Sequence, residues 1–304
     1  WHAALSILEL EDASEAESVF CARTIHVLLR RCVAKEARTQ ASHAVFSDDE
    51  WHTLRDRIFS LTRAYSIKAI RTKSQHARTT LTQLALATSA LACKMPSWEP
   101  MGIVSTLLST FGQNDPSAPT DSKLLCLCAL LALLAQEANC RDLSIHPARR
   151  ECVLDGLKAA SSDVMKVLEH LALSCQNDAS LISYILEALA SWAEFSNITQ
   201  AFPSVIVDGA VQIVCSSEGD GQHSSTLKQR AANATRTSLS QCIWYRSENL
   251  RGLLAQHMAT LRKHVMMHNK SSETRDLITE ILSALAMEAC REKEINDRDV
   301  NPYA

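Results

Sequence analysis

Apolar residues recur every three to four positions along most of this chain, in runs of helix length separated by short polar breaks. The run Thr79–Trp98 shows the unit. Leu81, Leu84, Leu86, Leu91 and Met95 are its large apolar residues, and Ala85, Ala87, Ala90 and Ala92 are small enough for a second helix to approach closely. Pro96 lacks an N–H and cannot continue the helix, so the pattern predicts a stop there. Ser97 is expected to cap a second helix with Trp98 and Glu99 in its first turn. Such a pair is the building unit of α-solenoids, and equally of an ordinary helical bundle.

The same reading covers the rest. Helices are expected at Ala13–Lys35, Trp51–Tyr65, Trp98–Phe111, Asp121–Ala138, Ala179–Phe195, Pro203–Cys215, Thr226–Ile243, Ser247–His268 and Ser271–Cys290. Ser47-Asp48-Asp49-Glu50 is a helix start, with acids at the positive end of the dipole. Another helix begins at Pro147 and runs to about Leu157, and a kink or break is expected near Ser161-Ser162 before Val164–Cys175. A basic connection carries Lys68, Arg71, Lys73, His76 and Arg78. Loops are expected at Gln113–Thr120 and Ser216–Ser225, and a charged, fraying tail at Glu292–Ala304. Trp1–Leu10 reads as the end of a helix whose partner is missing, which suggests a fragment of a longer chain. Pair starts recur roughly every 40–50 residues, the HEAT-type period. Fold class is therefore all-α, and residues 1–304 are expected to form a single continuous array of about six helix pairs, the first incomplete.

Composition narrows the function. Seven Gly and seven Pro in 304 residues are too few for an all-β chain. A net charge of −3 provides no global field for nucleic acid, and no apolar run is long enough to span a membrane. Eleven Cys, an odd number on apolar faces, suggest reduced core thiols and a cytosolic or nuclear compartment. The sequons at Asn197, Asn233 and Asn269 would then be unused.

Catalytic chemistry is sought and not found. There is no phosphate-cradling Gly loop and no nucleophile elbow. Cys126 and Cys128 stand two apart and point to different helix faces. His257, His264 and His268 fit one face, but Val265 stands where a zinc-protease helix carries Glu. No catalytic residue, metal ligand or cofactor is assigned. Arg149-Arg150 lies in the first turn of a helix, where positive charge opposes the dipole, and so implies a compensating partner inside or outside the chain.

Several motifs then carry a resemblance. Thr82-Gln83-Leu84-Ala85-Leu86-Ala87, Leu91-Ala92 and Met95-Pro96-Ser97-Trp98 resemble the third-repeat helix pair of β-karyopherins of the transportin-SR and importin thirteen-like branch. In the same order follow Leu54-Arg55-Asp56, the spaced Glu137, Arg141, Leu143, Ile145 and Arg149-Arg150, and Leu189-Ala190-Ser191-Trp192, with Ala190 where the family has Gly. The resemblance implies the N-terminal third of a HEAT superhelix and a nuclear transport receptor that shuttles between cytoplasm and nucleus. The implied partners are the small GTPase Ran in its GTP form on the concave face, nucleoporins, and protein cargo such as Ser/Arg-rich splicing factors. Those cargoes would bind mainly repeats outside this chain. The positions it suggests for Ran contact are Arg55, Asp56, Glu99, Arg149 and Arg150. The alternative is a HEAT scaffold that does not bind Ran.

Overall fold

The computed structural model describes residues 1–10, 12–31, 46–112, 119–174, 178–195, 202–216, 224–244, 248–267 and 272–300, with the side chains of 296–300 left aside. Among the described residues there are twelve α-helices and no strand. They are α1 (His2–Leu8), α2 (Glu15–Arg31), α3 (Asp48–Thr72), α4 (Gln75–Lys94), α5 (Ile103–Gly112) and α6 (Thr120–Asn139). Then come α7 (Pro147–Ser174), α8 (Ala179–Ala193), α9 (Ser204–Cys215), α10 (Ser225–Trp244), α11 (Glu248–Met266) and α12 (Ser272–Val300). The chain divides into two compact units, Trp1–Val164 and Met165–Ala304.

In the first unit α1 packs on α2, α3 on α4 and α5 on α6, while α2, α4 and α6 pack on one another in sequence. In the second, α9 packs on α10, α11 on α12, and α10 lies against both α8 and α12. Helix pairs stacked through their second members are the packing order of a HEAT-type α-solenoid. Small residues make it close. Ala85, Ala87, Ala90 and Ala92 of α4 are fully buried, with Leu81, Leu84 and Leu91 between them; Leu86 is half-buried. The continuous apolar run of α6 is buried from Leu125 to Ala135, as expected of a helix covered on several sides. Cys21, Cys93, Cys126, Cys128, Cys215 and Cys242 are buried thiols without disulfides, and burial pushes Cys93 and Cys126 up to about 12.

Local signals hold where they are self-contained. The Ser47 hydroxyl accepts from the Glu50 amide while the Glu50 carboxylate accepts from the Ser47 amide, a complete capping box. Helix α4 ends at Lys94, ahead of Pro96.

Four expectations are corrected. The basic stretch 65–78 is helix, not a connection: α3 runs on to Thr72, and only Lys73 and Ser74 separate it from α4. Tyr65, Ser66, Ala69 and Ala77 stay buried through this stretch, so the helical face continues beneath the exposed bases. Lys73 makes the turn with φ 53°, and Ser74 caps α4 by accepting from the His76 and Ala77 amides. Second, Ser97 does not start a helix. Residues 95–99 stay irregular, a 3-10 turn spans Pro100–Gly102, and α5 opens only at Ile103. Third, α7 is unbroken at Ser161-Ser162, since the Ser161 hydroxyl folds back on the Lys158 carbonyl and leaves the helix intact. Fourth, the charged tail is helical as far as Val300. Residues 32–35 of the first long helix, most of both expected loops, His268, Asn197 and Asn269 lie outside the described residues.

Candidate partner-binding face and its supports

The candidate face is built on α1, α3 and α5, the first members of the pairs in the first unit. Arg57 of α3 grips Glu9, just past α1, through two bonds of 2.8 Å. Arg63 of α3 donates to the Thr110 carbonyl near the end of α5 and lies over the Phe111 ring. Beneath them Phe59 packs edge-on against Phe111 and Trp98, with centroids 5.0 and 5.8 Å away. Trp98 is buried and closes this core.

Three of the five suggested positions are accessible. Arg55 and Asp56 are neighbours on α3, with Arg55 Nε 2.8 Å from Asp56 Oδ1; the carboxylate side chain is 65% exposed. Glu99 is exposed on the α4–α5 connection, and its side chain caps nothing.

Arg149 and Arg150 are engaged with backbone. The Arg149 guanidinium donates to the carbonyls of Cys93, Met95 and Trp98 at 3.1, 2.9 and 2.6 Å. It thereby caps the C-terminal end of α4 and binds the following connection, where Glu99, ahead of Pro100, is extended, so Ser97 starts no helix. Arg150 donates to Ala138, Cys140 and Leu143 at 2.9, 3.0 and 2.6 Å, capping α6. The compensating partner implied by two arginines at a helix start is thus the negative ends of two other helices. Burial works against the charge of Arg149, and the three carbonyls answer it.

Sequence reasoning missed Lys94. Its ammonium is buried and donates to Leu29 and Arg30 carbonyls at 2.5 and 2.9 Å, capping α2. Glu137, noted only as part of a spaced motif, has a fully buried side chain. It receives Arg30 through Nε and Nη2 at 2.7 and 2.6 Å, and His26 Nε2 lies 3.3 Å away. Burial alone would raise the Glu137 carboxyl, but Arg30 and His26 outweigh it and hold the group below its ordinary value. A lone lysine closing an alanine-rich apolar run was the available signal for Lys94. These supports tie the ends of α2, α4 and α6 together and hold the α4–α5 connection that carries Glu99.

In the second unit Lys228 of α10 is buried and reaches the Ser216 carbonyl at 3.2 Å, capping α9. His257 of α11 is buried with Nε2 3.4 Å from Asp208 of α9; burial lowers the affinity of its ring for a proton, and Asp208 partly restores it. Among the described residues no cluster of side chains could hold a metal ion, and no helix is long and apolar enough to cross a membrane. The family model described as exportin 1-like protein matches residues 77–235, just over half of the chain.

Proposed function

The chain belongs to the exportin 1-like family of karyopherin-type transport receptors, and from that premise we propose that the α1–α3–α5 face binds the GTP form of Ran. The observation that carries this reading is the pair of half-buried Arg55 and exposed Asp56 on a helix braced from both sides by Arg57 and Arg63. A contact surface held rigid before binding loses little conformational freedom on association. Glu99 adds a second exposed charge on the connection fixed by Arg149. Arg149 and Arg150 act in this reading as positioning residues. Coupling to cargo follows if Ran-GTP and cargo favour different inter-pair angles, since a ligand shifts an equilibrium by its differential affinity. The chain is read as a receptor, not an enzyme, within the transportin-SR and importin thirteen-like branch. It shuttles between cytoplasm and nucleus, meets nucleoporins on the way, and uses no cofactor. Residues 1–304 form one continuous array.

One observation favours the alternative, a HEAT scaffold without Ran binding: two of the five suggested contact positions are occupied by backbone carbonyls. Binding of the folded chain to Ran loaded with a non-hydrolysable GTP analogue, against Ran-GDP, separates the two. The receptor reading expects nucleotide-selective binding that weakens at least about tenfold in the Arg55→Glu, Asp56→Lys double variant, as for a charge-complementary contact. Equal binding of both nucleotide forms, or none, would leave the scaffold.

A further inference from the structure

The first unit contains a long stretch without an acid. From Arg57 to Trp98 there are seven Lys and Arg and no Asp or Glu. Three of the seven are engaged in place: Arg57 with Glu9, Arg63 with the Thr110 carbonyl, and Lys94 with the end of α2. The other four, Lys68, Arg71, Lys73 and Arg78, fall with His76 on either side of the two-residue link between α3 and α4. Arg71, Lys73 and His76 are exposed there.

This cationic setting surrounds a hydroxyl. Ser74 has Arg71 three positions before it and Lys73 immediately before it. A basophilic protein kinase reads that register, because carboxylates in its substrate cleft pair with the cations. The same arginine spacing recurs at Ser60, Ser66 and Ser144. Ser60 and Ser66 stand inside α3, with Ser66 buried, and Ser144 has Asp142 between itself and its arginine. Ser74 alone combines an acid-free register with a place outside the helices. Thr72 closes α3, and Ser74 is extended at φ −69°, ψ 131°. A helix end opens at low cost, so residues 71–74 can straighten in a kinase cleft.

The hydroxyl already ties two helices. Ser74 Oγ donates to Glu15 Oε1 at the start of α2 at 2.7 Å, and accepts from the His76 and Ala77 amides. The other Glu15 oxygen lies 2.8 Å from His76 Nδ1. Glu15 therefore joins the start of α2 to the start of α4 through two contacts. A phosphate on Ser74 removes the proton that Glu15 accepts and sets two anions against each other. The surrounding cations then favour the phosphate over the carboxylate, since it carries the greater charge.

We propose that Ser74 is a phosphorylation site for a basophilic Ser/Thr protein kinase, and that its phosphate expels Glu15 and releases the start of α2 from α4. In the transfer the Ser74 oxygen forms a bond to the γ-phosphorus of ATP. The bond from that phosphorus to the β–γ bridging oxygen breaks, ADP leaves, and the hydroxyl proton passes to the kinase's catalytic carboxylate. The site does not depend on the Ran reading.

The test treats the whole folded chain with Mg-ATP and the catalytic domain of calmodulin-dependent kinase II, which selects Arg three positions before the acceptor. The expected result is phosphate mapped to Ser74 by peptide mass spectrometry, absent in Ser74→Ala and formed at least about tenfold more slowly in Arg71→Ala, as for loss of a charged hydrogen bond. Hydrogen exchange of the phosphorylated chain should rise over the first turn of α2. In Glu15→Gln, phosphorylation should add no further rise there, because the repelled charge is gone; a general loosening of the link would still add one. No phosphate on Ser74, or phosphate chiefly on Ser60, Thr72 or Ser144, overturns the site. An equal rate in Arg71→Ala overturns the recognition. Unchanged exchange at α2, or the same rise in Glu15→Gln, overturns the release. Should Ser74→Ala not fold, the mapped peptide and Arg71→Ala decide alone.

Discussion

The two units use one architecture and different chemistry to hold it. In Trp1–Val164 the ends of the stacked helices are tied by charge: Lys94 and Arg149 each cap the carbonyl end of a helix more than fifty positions away, Arg150 caps the preceding helix, and Glu137 is buried between Arg30 and His26. In Met165–Ala304 the buried cation Lys228 caps α9, Arg230 of α10 reaches Glu187 and Ser183 of α8, and His257 of α11 faces Asp208 of α9, while apolar contact packs α8, α9 and α10. At Gly156 of the first unit a neighbouring backbone packs directly on the helix, while Gly209 of the second, like Gly102 and Gly112 of the first, has open space beside it. Helix pairs of one kind can thus be braced in more than one way. The difference lies in a few residues at helix ends.

The hardest break in this contrast is Glu137→Ala. It leaves Arg30 half-buried without its carboxylate and should cost about 3–5 kcal/mol. Hydrogen exchange should then rise across α2 and α6 and stay unchanged in α9 to α12; uniform loosening would refute the division of labour. Arg149→Met comes next. Three carbonyls at the end of α4 lose a charged donor, for an expected loss of about 2–3 kcal/mol, read by urea denaturation followed through Trp98 fluorescence.

Two of the helical glycines sharpen the comparison in opposite directions. A Cβ at Gly156 would sit 2.5 Å from the Pro100 carbonyl oxygen, so Gly156→Ala must displace backbone and should destabilise by about 1–3 kcal/mol. Gly209→Ala meets open space and should stabilise by roughly 0.5–1 kcal/mol. Melting of the pair of variants measures both, and the same sign in both would contradict the packing described.

The smallest effect is in pH. Glu137 is held below its ordinary value of 4.5, so its contribution is full above that value and lost as pH falls through the lower folded value. Burial raises the Glu169 carboxyl, so its contribution is full below the ordinary value and lost as pH rises through the higher folded one. Acidifying from about pH 6 to the ordinary carboxyl range should therefore firm the start of α9, and acidifying further, through the lowered value of Glu137, should loosen α2 and α6; segment-resolved hydrogen exchange would show whether the two move oppositely.

What was legible in the sequence was local. The Ser47–Glu50 box, the stop before Pro96 and the all-apolar α6 each depend on residues within a few positions of one another. The helix through 65–78 was harder to read because its exposed face is basic while small residues, Ser66, Ala69 and Ala77, carry the buried one. The accessible site positions, Arg55, Asp56 and Glu99, followed from a motif. The engagement of Arg149 did not, because its partners are backbone carbonyls more than fifty positions away and main-chain atoms leave no mark in a side-chain pattern. The open space at Gly209 was invisible for a related reason: a glycine on a helix announces itself, but the space beside it depends on two other elements.

The long reach of the caps has a consequence for the order of events at synthesis. The carbonyl of Arg30 waits 64 residues for Lys94, and that of Cys93 waits 56 for Arg149. At translation rates of about 5–20 residues per second, each finished helix end stays unanswered for roughly 3–13 s. Helix pairs of the first unit therefore leave the ribosome unsealed, and each is closed only by residues of a later pair as the chain emerges. Translation speed between Arg30 and Arg149, rather than intrinsic helix formation, sets when the braced surface first exists.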